Sequence, residues 1–240
     1  MNKLYGAILG DLAGQPHEFP AKGGLRTNIN LHNPDSHFTD DTIMTLATAS
    51  YLLGDFNTFE DAYKTFGNKY VGDYYGKKFN EWLKTPQNTT SNSFGNGCLM
   101  RLSPIMYLQD KEKILPTIMD SVLCSHRHEM SIKSSVLLYD EYMGNGLPFC
   151  DKITPFKKFT SNSDITVKFC INLVCQIPST QESIIKAIEQ GGDTDTNASI
   201  CGELSNYHRN DLTKQDIEYV ESKLDTYLLT ILKKFNEKFS

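Results

Sequence analysis

The chain has 240 residues, 39% of them apolar and 22% charged, with a formal net charge of −5. These values suit one compact soluble domain spanning 1–240 that can bury a useful core. The mild acidity argues against a broad nucleic-acid-binding face and leaves room only for a local basic patch. Cysteines stand at Cys98, Cys124, Cys150, Cys170, Cys175 and Cys201, with no Cys-x-x-Cys pair and no zinc-finger spacing. Reduced, mostly buried thiols and a cytoplasmic setting are therefore expected.

Residues 3–14 open the chain with an apolar run after Lys3 that resembles the start of a signal peptide. Asp11 interrupts it, and the run is too short for a leader core or a membrane span, so a buried helix is predicted. Gly6, Ala7, Gly10, Ala13 and Gly14 give that helix one smooth face. Glycines weaken a helix, so another element is expected to approach its backbone closely. Pro16 ends the helix, and Glu18 follows in a turn, either as a solvated loop acid or as a carboxylate beside a metal. From Lys22 to Phe38 the chain has no periodicity. A long loop of this kind, placed between Glu18 and an acidic cluster, is expected to act as a lid over a ligand.

The stretch His37-Phe38-Thr39-Asp40-Asp41-Thr42 leads into a predicted helix over Ile43–Leu53 that stops at Gly54. Taken alone, Thr-Asp-Asp-Thr reads as an ordinary N-cap. Helices are predicted over Thr58–Tyr70 and Asp73–Lys84. Tyr51, Phe56, Phe59, Tyr63, Phe66 and Trp82 recur at helical intervals, as core packing does. Residues 86–97 form a polar loop. Its end, Ser93-Phe94-Gly95-Asn96-Gly97, offers backbone N–H groups before a helix, which suits either an anion nest or a simple chain reversal.

Lys111–Cys124 reads as an amphipathic helix, followed by Ser125-His126-Arg127-His128 and a helix to Met143. His126 and His128 are open to readings as caps, metal ligands or substrate contacts, with a cap favoured by spacing. A loop from Gly144 to Asn162 precedes helices over Asp164–Gln176 and Thr180–Gln190. The second acidic cluster, Gly191-Gly192-Asp193-Thr194-Asp195-Thr196-Asn197, opens a helix to about Leu204, and Thr213–Phe235 reads as one long amphipathic helix. There is no internal repeat, low-complexity tract or alternating strand pattern. An all-α fold is predicted, with its chemistry on loops at helix N-termini. Two clusters of carboxylates and hydroxyls brought together would need cations. All-oxygen ligands suit Mg²⁺, Mn²⁺ or Ca²⁺ better than zinc.

Five segments, in this order, resemble the ADP-ribosylglycohydrolases: Gly10–Phe19, Phe38–Thr42, Ser93–Arg101, Ser125–His128 and Gly191–Ala198. The resemblance spans residue 3 to about 202, and the two acidic motifs with the Gly-Asn-Gly segment are specific in combination. It implies an all-α orthogonal helical bundle with a centre of two Mg²⁺ (or Mn²⁺). The implied metal ligands are Thr39, Asp40, Asp41, Asp193, Asp195 and Thr196. Glu18 matches a glutamate near the scissile ribose, and Glu18 or Asp195 would take a water's proton. Ser93, Phe94, Gly95, Asn96, Gly97 and Met100 would line the diphosphate and ribose, with His126 near the ligand. The implied activity is cleavage of ADP-ribose from a modified protein, releasing ADP-ribose. A modified nucleic acid is the less favoured substrate, and no membrane partner is implied. A non-catalytic ADP-ribose-binding or structural member of the fold, or a dimetal phosphoesterase, are the competing readings. The chain departs from the family pattern at Glu129, where a proline is usual, and from Glu203 to Asn210, where small residues are usual.

Overall fold

A computed structural model of the chain describes residues 2–18, 26–72, 74–146 and 152–240. Its helices are α1 (Tyr5–Gly14), α2 (Asp40–Leu53), α3 (Phe59–Lys69), α4 (Lys77–Leu83), α5 (Gly97–Met100), α6 (Lys111–Leu123), α7 (Glu129–Tyr142), α8 (Ser163–Gln176), α9 (Thr180–Glu189), α10 (Thr194–Arg209), α11 (Lys214–Lys223) and α12 (Thr226–Lys238). Short 3₁₀ turns cover Gln15–His17 and Ser103–Tyr107. Among the described residues there is no strand, only isolated bridges pairing Asn92 with His126 and Gly95 with Asn162. The fold is all-α, as expected. No helix of the described residues is long and apolar enough to cross a membrane.

Most predicted helices form within a residue or two of their expected limits, and the exceptions have local causes. The segment read as one helix over Thr213–Phe235 is two helices. Leu224 is extended, and the Asp225 carboxylate accepts the Leu228 N–H at 2.9 Å, so a fresh N-cap interrupts the apolar periodicity. The helix expected over Asp73–Lys84 shrinks to α4, whose N-cap is Gly76; Asp73 itself lies outside the described residues. α10 continues beyond Leu204 to Arg209 and stops where Asn210 turns left-handed. Thr58 caps α3 and Ser179 caps α9 through their hydroxyls.

The buried apolar side chains, from Leu4 to Phe235, make one contiguous cluster. Phe59, Tyr63, Phe66 and Trp82 lie inside it, while Tyr51 and Phe56 pack against it. Cys98, Cys170 and Cys201 are buried free thiols, Cys124 is partly buried, Cys175 is exposed, and Cys150 lies outside the described residues.

The glycine face of α1 meets α10. A Cβ built on Gly6, Gly10 or Gly14 would stand 2.4, 2.2 and 2.4 Å from the backbone oxygens of Gly202, Ala198 and Thr194 respectively. The two backbones therefore run in contact over two turns, each four-residue step on α1 facing a four-residue step on α10. Glu203, one of the family departures, joins the same helices. Its buried carboxylate accepts the N–H groups of Leu4 at 2.8 Å and Ala7 at 3.1 Å and the Tyr107 hydroxyl at 2.7 Å. It thus caps the otherwise unsatisfied N-terminus of α1.

Gly10→Ala forces a methyl into the Ala198 backbone and is expected to lower the unfolding free energy by about 3 kcal/mol or more, at the upper end of overpacking costs. Chemical denaturation measures it, and an unchanged midpoint would contradict the contact. Burial raises the Glu203 carboxyl to about 7. Its folded pKa exceeds the unfolded one, so the native state binds the extra proton and stability falls as pH climbs from about 4.5 to 7. Glu203→Gln removes that fall. Its destabilisation relative to wild type, measured by denaturation, should be smaller at about pH 8 than at about pH 5.

Candidate functional site

The contact between α1 and α10 sets the N-terminus of α10 near the end of α1 and beside the N-terminus of α2. The Thr194 hydroxyl donates to the Gly14 carbonyl at 2.8 Å. Gly191 and Gly192 turn left-handed, with φ of 74° and 80°, a bend that suits glycine. Asp193 is thereby the N-cap of α10, with Asp195 in its first turn. On α2, Thr39 is the N-cap and Asp40 and Asp41 fill the first turn, so that cluster is part of the helix instead of preceding it. The two acidic clusters do converge. The Thr196 hydroxyl donates to Asp41 Oδ2 at 3.1 Å across 155 residues of sequence.

Asp11, in the apolar helix α1, holds the start of α2. Its Oδ2 accepts the N–H groups of Thr39 at 2.9 Å and Thr42 at 3.1 Å and the Thr42 hydroxyl at 2.5 Å, while Oδ1 accepts the Thr39 hydroxyl at 2.8 Å. In the sequence Asp11 stands inside the Gly10–Phe19 segment with no role evident from its neighbours. Its signal was an acid in a run of small and apolar residues. Asp11 acts as a cap for α2 supplied from another helix, and it takes the Thr39 hydroxyl proton, so Thr39 keeps only acceptor capacity in other directions.

Carboxylate oxygens of Asp11, Asp41 and Asp195 lie within 4.8 Å of one another, and so do those of Glu18, Asp193 and Asp195. Asp195 belongs to both groups. Among the described residues no lysine or arginine forms an ion pair with Glu18, Asp40, Asp41, Asp193 or Asp195. Two helix dipoles relieve such a cluster by only ~1 kcal/mol each. Without cations the charges therefore push every proton affinity up. Burial, followed by Asp195 and Asp11, raises Glu18 to about 9, and burial opposed by hydrogen bonds leaves Asp193 at about 6. Asp40, Asp41 and Asp195 are raised well above the usual carboxylate range, first by burial and then by their acidic neighbours. Buried Asp41 Oδ1 has no hydrogen-bond partner. An orphaned carboxylate oxygen within an all-oxygen donor set fits a hard divalent cation.

A cleft of about 430 Å³ opens over this centre, of a size that suits a small-molecule ligand. Glu18, Asp40, Asp193, Asp195 and Thr196 line it, together with Ser93, Phe94, Gly95, Asn96, Gly97, Met100 and His126. Thr39 and Asp41 lie behind that lining, 2% and 1% exposed. The polar loop is tied to the acidic centre, because Asn96 Nδ2 donates to Asp193 Oδ2 at 2.9 Å. Of the two readings of this loop, the anion nest is left with fewer free amides. The Gly95 N–H donates to the Ser93 hydroxyl at 3.2 Å and the Asn96 N–H to the Ser161 carbonyl at 2.8 Å, so two of the loop amides are already committed.

The two histidines divide as their readings allowed. His128 Nδ1 caps α7 by accepting the Met130 N–H at 3.1 Å, whereas His126 is buried and lines the cleft. The lid expectation fails for the described part of its loop, 26–38, none of which lines the cleft. The loop is fastened to α11 instead. Tyr219 donates to the Asn33 carbonyl at 2.7 Å, His32 pairs with Asp216 at 2.7 Å, and Lys223 donates to the Ser36 carbonyl at 2.9 Å. The rest of the expected lid, residues 22–25, lies outside the described residues. Sequence reasoning missed Tyr74, Tyr75, Lys77, Lys78, Arg101 and Phe159, all of which line the cleft. Phe159 and Phe94 are 46% and 44% exposed there, large apolar rings open to solvent. Only the Arg101 signal was visible beforehand, as the last residue of the Ser93–Arg101 segment.

The sequence profile described as ADP-ribosylglycohydrolase matches residues 2–139. Comparison with the curated proteins finds no match. Among solved structures, an "ADP-ribosylglycohydrolase-related protein complex" superposes with a TM-score of 0.68 at 16% identity, covering 100% of this chain and 98% of that one. At that identity the likeness establishes the fold.

Saturating Mg²⁺ or Mn²⁺ is expected to raise the thermal midpoint, since a ligand at ~100 times its Kd stabilises by about 2.7 kcal/mol. Asp193→Asn and Asp41→Asn should abolish the rise. A wild-type midpoint that ignores both ions would contradict the cation reading of this cluster.

Proposed function

Since the chain belongs to the ADP-ribosylglycohydrolase family, we propose that it hydrolyses the bond between the anomeric ribose carbon of ADP-ribose and an acceptor such as an arginine or serine side chain of a protein. The observation that carries this reading is the meeting of two acidic helix N-termini and Glu18 under one cleft, with Asn96 tying the Gly-Asn-Gly loop to Asp193. Thr39, Asp40, Asp41, Asp193, Asp195 and Thr196 would hold two Mg²⁺ (or Mn²⁺). When bound, the ions neutralise the carboxylates, fix the ribose hydroxyls and supply Lewis acidity.

The remaining chemistry belongs to the side chains. Ser93, Phe94, Gly95, Asn96, Gly97 and Met100 bind and orient the ADP-ribosyl group along the cleft wall. Departure of the acceptor leaves oxocarbenium character on the ribose, which the neighbouring carboxylates stabilise. A carboxylate oxygen of Glu18, or of Asp195, accepts the proton of the attacking water, and a proton is returned to the departing acceptor nitrogen or oxygen. Beside bound cations that carboxylate would stay ionised and able to take the proton. On this proposal the substrate is an ADP-ribosylated protein, the setting is cytoplasmic and the product is free ADP-ribose.

The test is to incubate the protein with arginine-, serine- and nucleotide-linked ADP-ribosyl substrates, with and without Mg²⁺, and to identify the products. Mg²⁺-dependent ADP-ribose release is expected. AMP release would select a phosphoesterase, and binding without release a non-catalytic member of the fold. Glu18→Gln should lower kcat by about 10²- to 10⁴-fold, the usual worth of a positioned acid–base group, while ADP-ribose still binds. Asp40→Ala should abolish metal-dependent turnover in a folded protein, and full turnover by that variant in metal-free buffer would refute the mechanism.

A further inference from the structure

Arg101 is fully buried, yet among the described residues no carboxylate pairs with it. Its guanidinium lies 4.0 Å from the centre of the Tyr63 ring, and its Nε has no partner. Its Nη2 donates to the Ser121 carbonyl at 2.8 Å and to the Ser125 hydroxyl at 2.7 Å. The Ser125 oxygen in turn lies 2.8 Å from His126 Nδ1. A buried cation without a counter-charge is costly unless its neighbours are polarised in its favour, and here the polarisation runs through Ser125 to the imidazole.

We propose that Arg101 and Ser125 hold His126 in the tautomer that carries its proton on Nε2, making it a fixed hydrogen-bond donor to an oxygen of the ligand in the cleft. The argument is one of satisfaction. Ser125 has one proton to give and already accepts one from Arg101. If Nδ1 carried the imidazole proton, Ser125 would accept twice and its own proton would turn to the sulfur of Cys124, a weak acceptor. If Nδ1 is bare, the Ser125 hydroxyl donates to it, and the proton of Ser125 meets a nitrogen acceptor at 2.8 Å while its oxygen accepts from Arg101. The proton then sits on Nε2, which takes no protein partner among the described residues. Nε2 faces the loop glycines, 3.8 and 3.7 Å from where a Cβ would stand on Gly95 and Gly97, an ordinary contact distance.

Burial, then the Arg101 and Lys78 charges, holds the His126 imidazole well below its ordinary titration range. His126 therefore stays neutral and serves as a donor, with no role as an acid or base. A single fixed donor beside a buried positive charge suits an acceptor oxygen with negative charge, as on a diphosphate. That last identification rests on the ADP-ribosyl reading; the tautomer does not.

The experiment is nitrogen-15 NMR of the ligand-free full chain labelled at histidine, with His126 assigned by its loss in His126→Asn. The Nε2 signal is expected to be of the protonated type and Nδ1 of the bare type, both unmoved over about pH 5.5–8, where an ordinary histidine titrates. A proton on Nδ1, or titration within that range, would overturn the proposal. Ser125→Ala, its fold checked by circular dichroism, should give a mixture of tautomers and weaken ADP-ribose binding by about 10-fold, as loss of one oriented hydrogen bond does. An unchanged tautomer in that variant would also overturn it. If wild type fails to bind ADP-ribose, the ligand reading falls, while the ligand-free spectrum still decides the tautomer.

Discussion

The contact between the backbones of α1 and α10 is the constraint on which the rest depends. Two helices with ordinary side chains pack with axes roughly 8–10 Å apart. Gly6, Gly10 and Gly14 remove the side chains that would keep α10 at that distance, and Gly202 and Ala198 do the same from the other side. The helix stability lost at each glycine is offset by dispersion contacts between backbones and by the Glu203 cap on α1. What the close approach delivers is position. The last turn of α1 meets the first turn of α10, so Asp11, Glu18 and Asp195 are brought to one spot.

That geometry creates an electrostatic problem that the described residues do not resolve with cations of their own. Asp11 is settled by its four hydrogen bonds from Thr39 and Thr42. Asp193 is partly settled by Asn96. All of them still have raised proton affinities, and Asp41 keeps an oxygen with no partner. A fold aimed only at stability would replace such a cluster with apolar residues. Its persistence at the base of a cleft is what separates a site from a structural accident. Arg101 shows the same pattern with opposite sign. It has no carboxylate partner among the described residues, and hydrogen bonds link it through Ser125 to His126 at the cleft.

Much of this was legible in the sequence because it depends on local pattern. Helix periodicity located nearly every helix. The Thr-Asp-Asp-Thr and Asp-Thr-Asp-Thr clusters stood at helix starts, where capping residues belong. The glycine face of α1 announced a close neighbour without naming it. The failures had local and distant causes. Asp225 supplied a cap inside an unbroken apolar rhythm, so one expected helix became two. The loop over 26–38 looked free because its fasteners, Tyr219, Lys223 and Asp216, lie some 180 residues away. The amides of Gly95 and Asn96 looked available until Ser93 and Ser161 claimed them.

By itself, then, the order of residues determined an all-α chain with two acidic helix starts, a glycine-faced first helix and a family likeness carried by short motifs. Only the tertiary structure decided that α10 is the partner of that first helix, that Asp11 caps a helix other than its own, and that Arg101 reaches a histidine through a serine. The reason is physical. Capping and periodicity act within a few residues and leave their mark in sequence, whereas packing, burial and charge coupling act through space between residues that the chain keeps far apart.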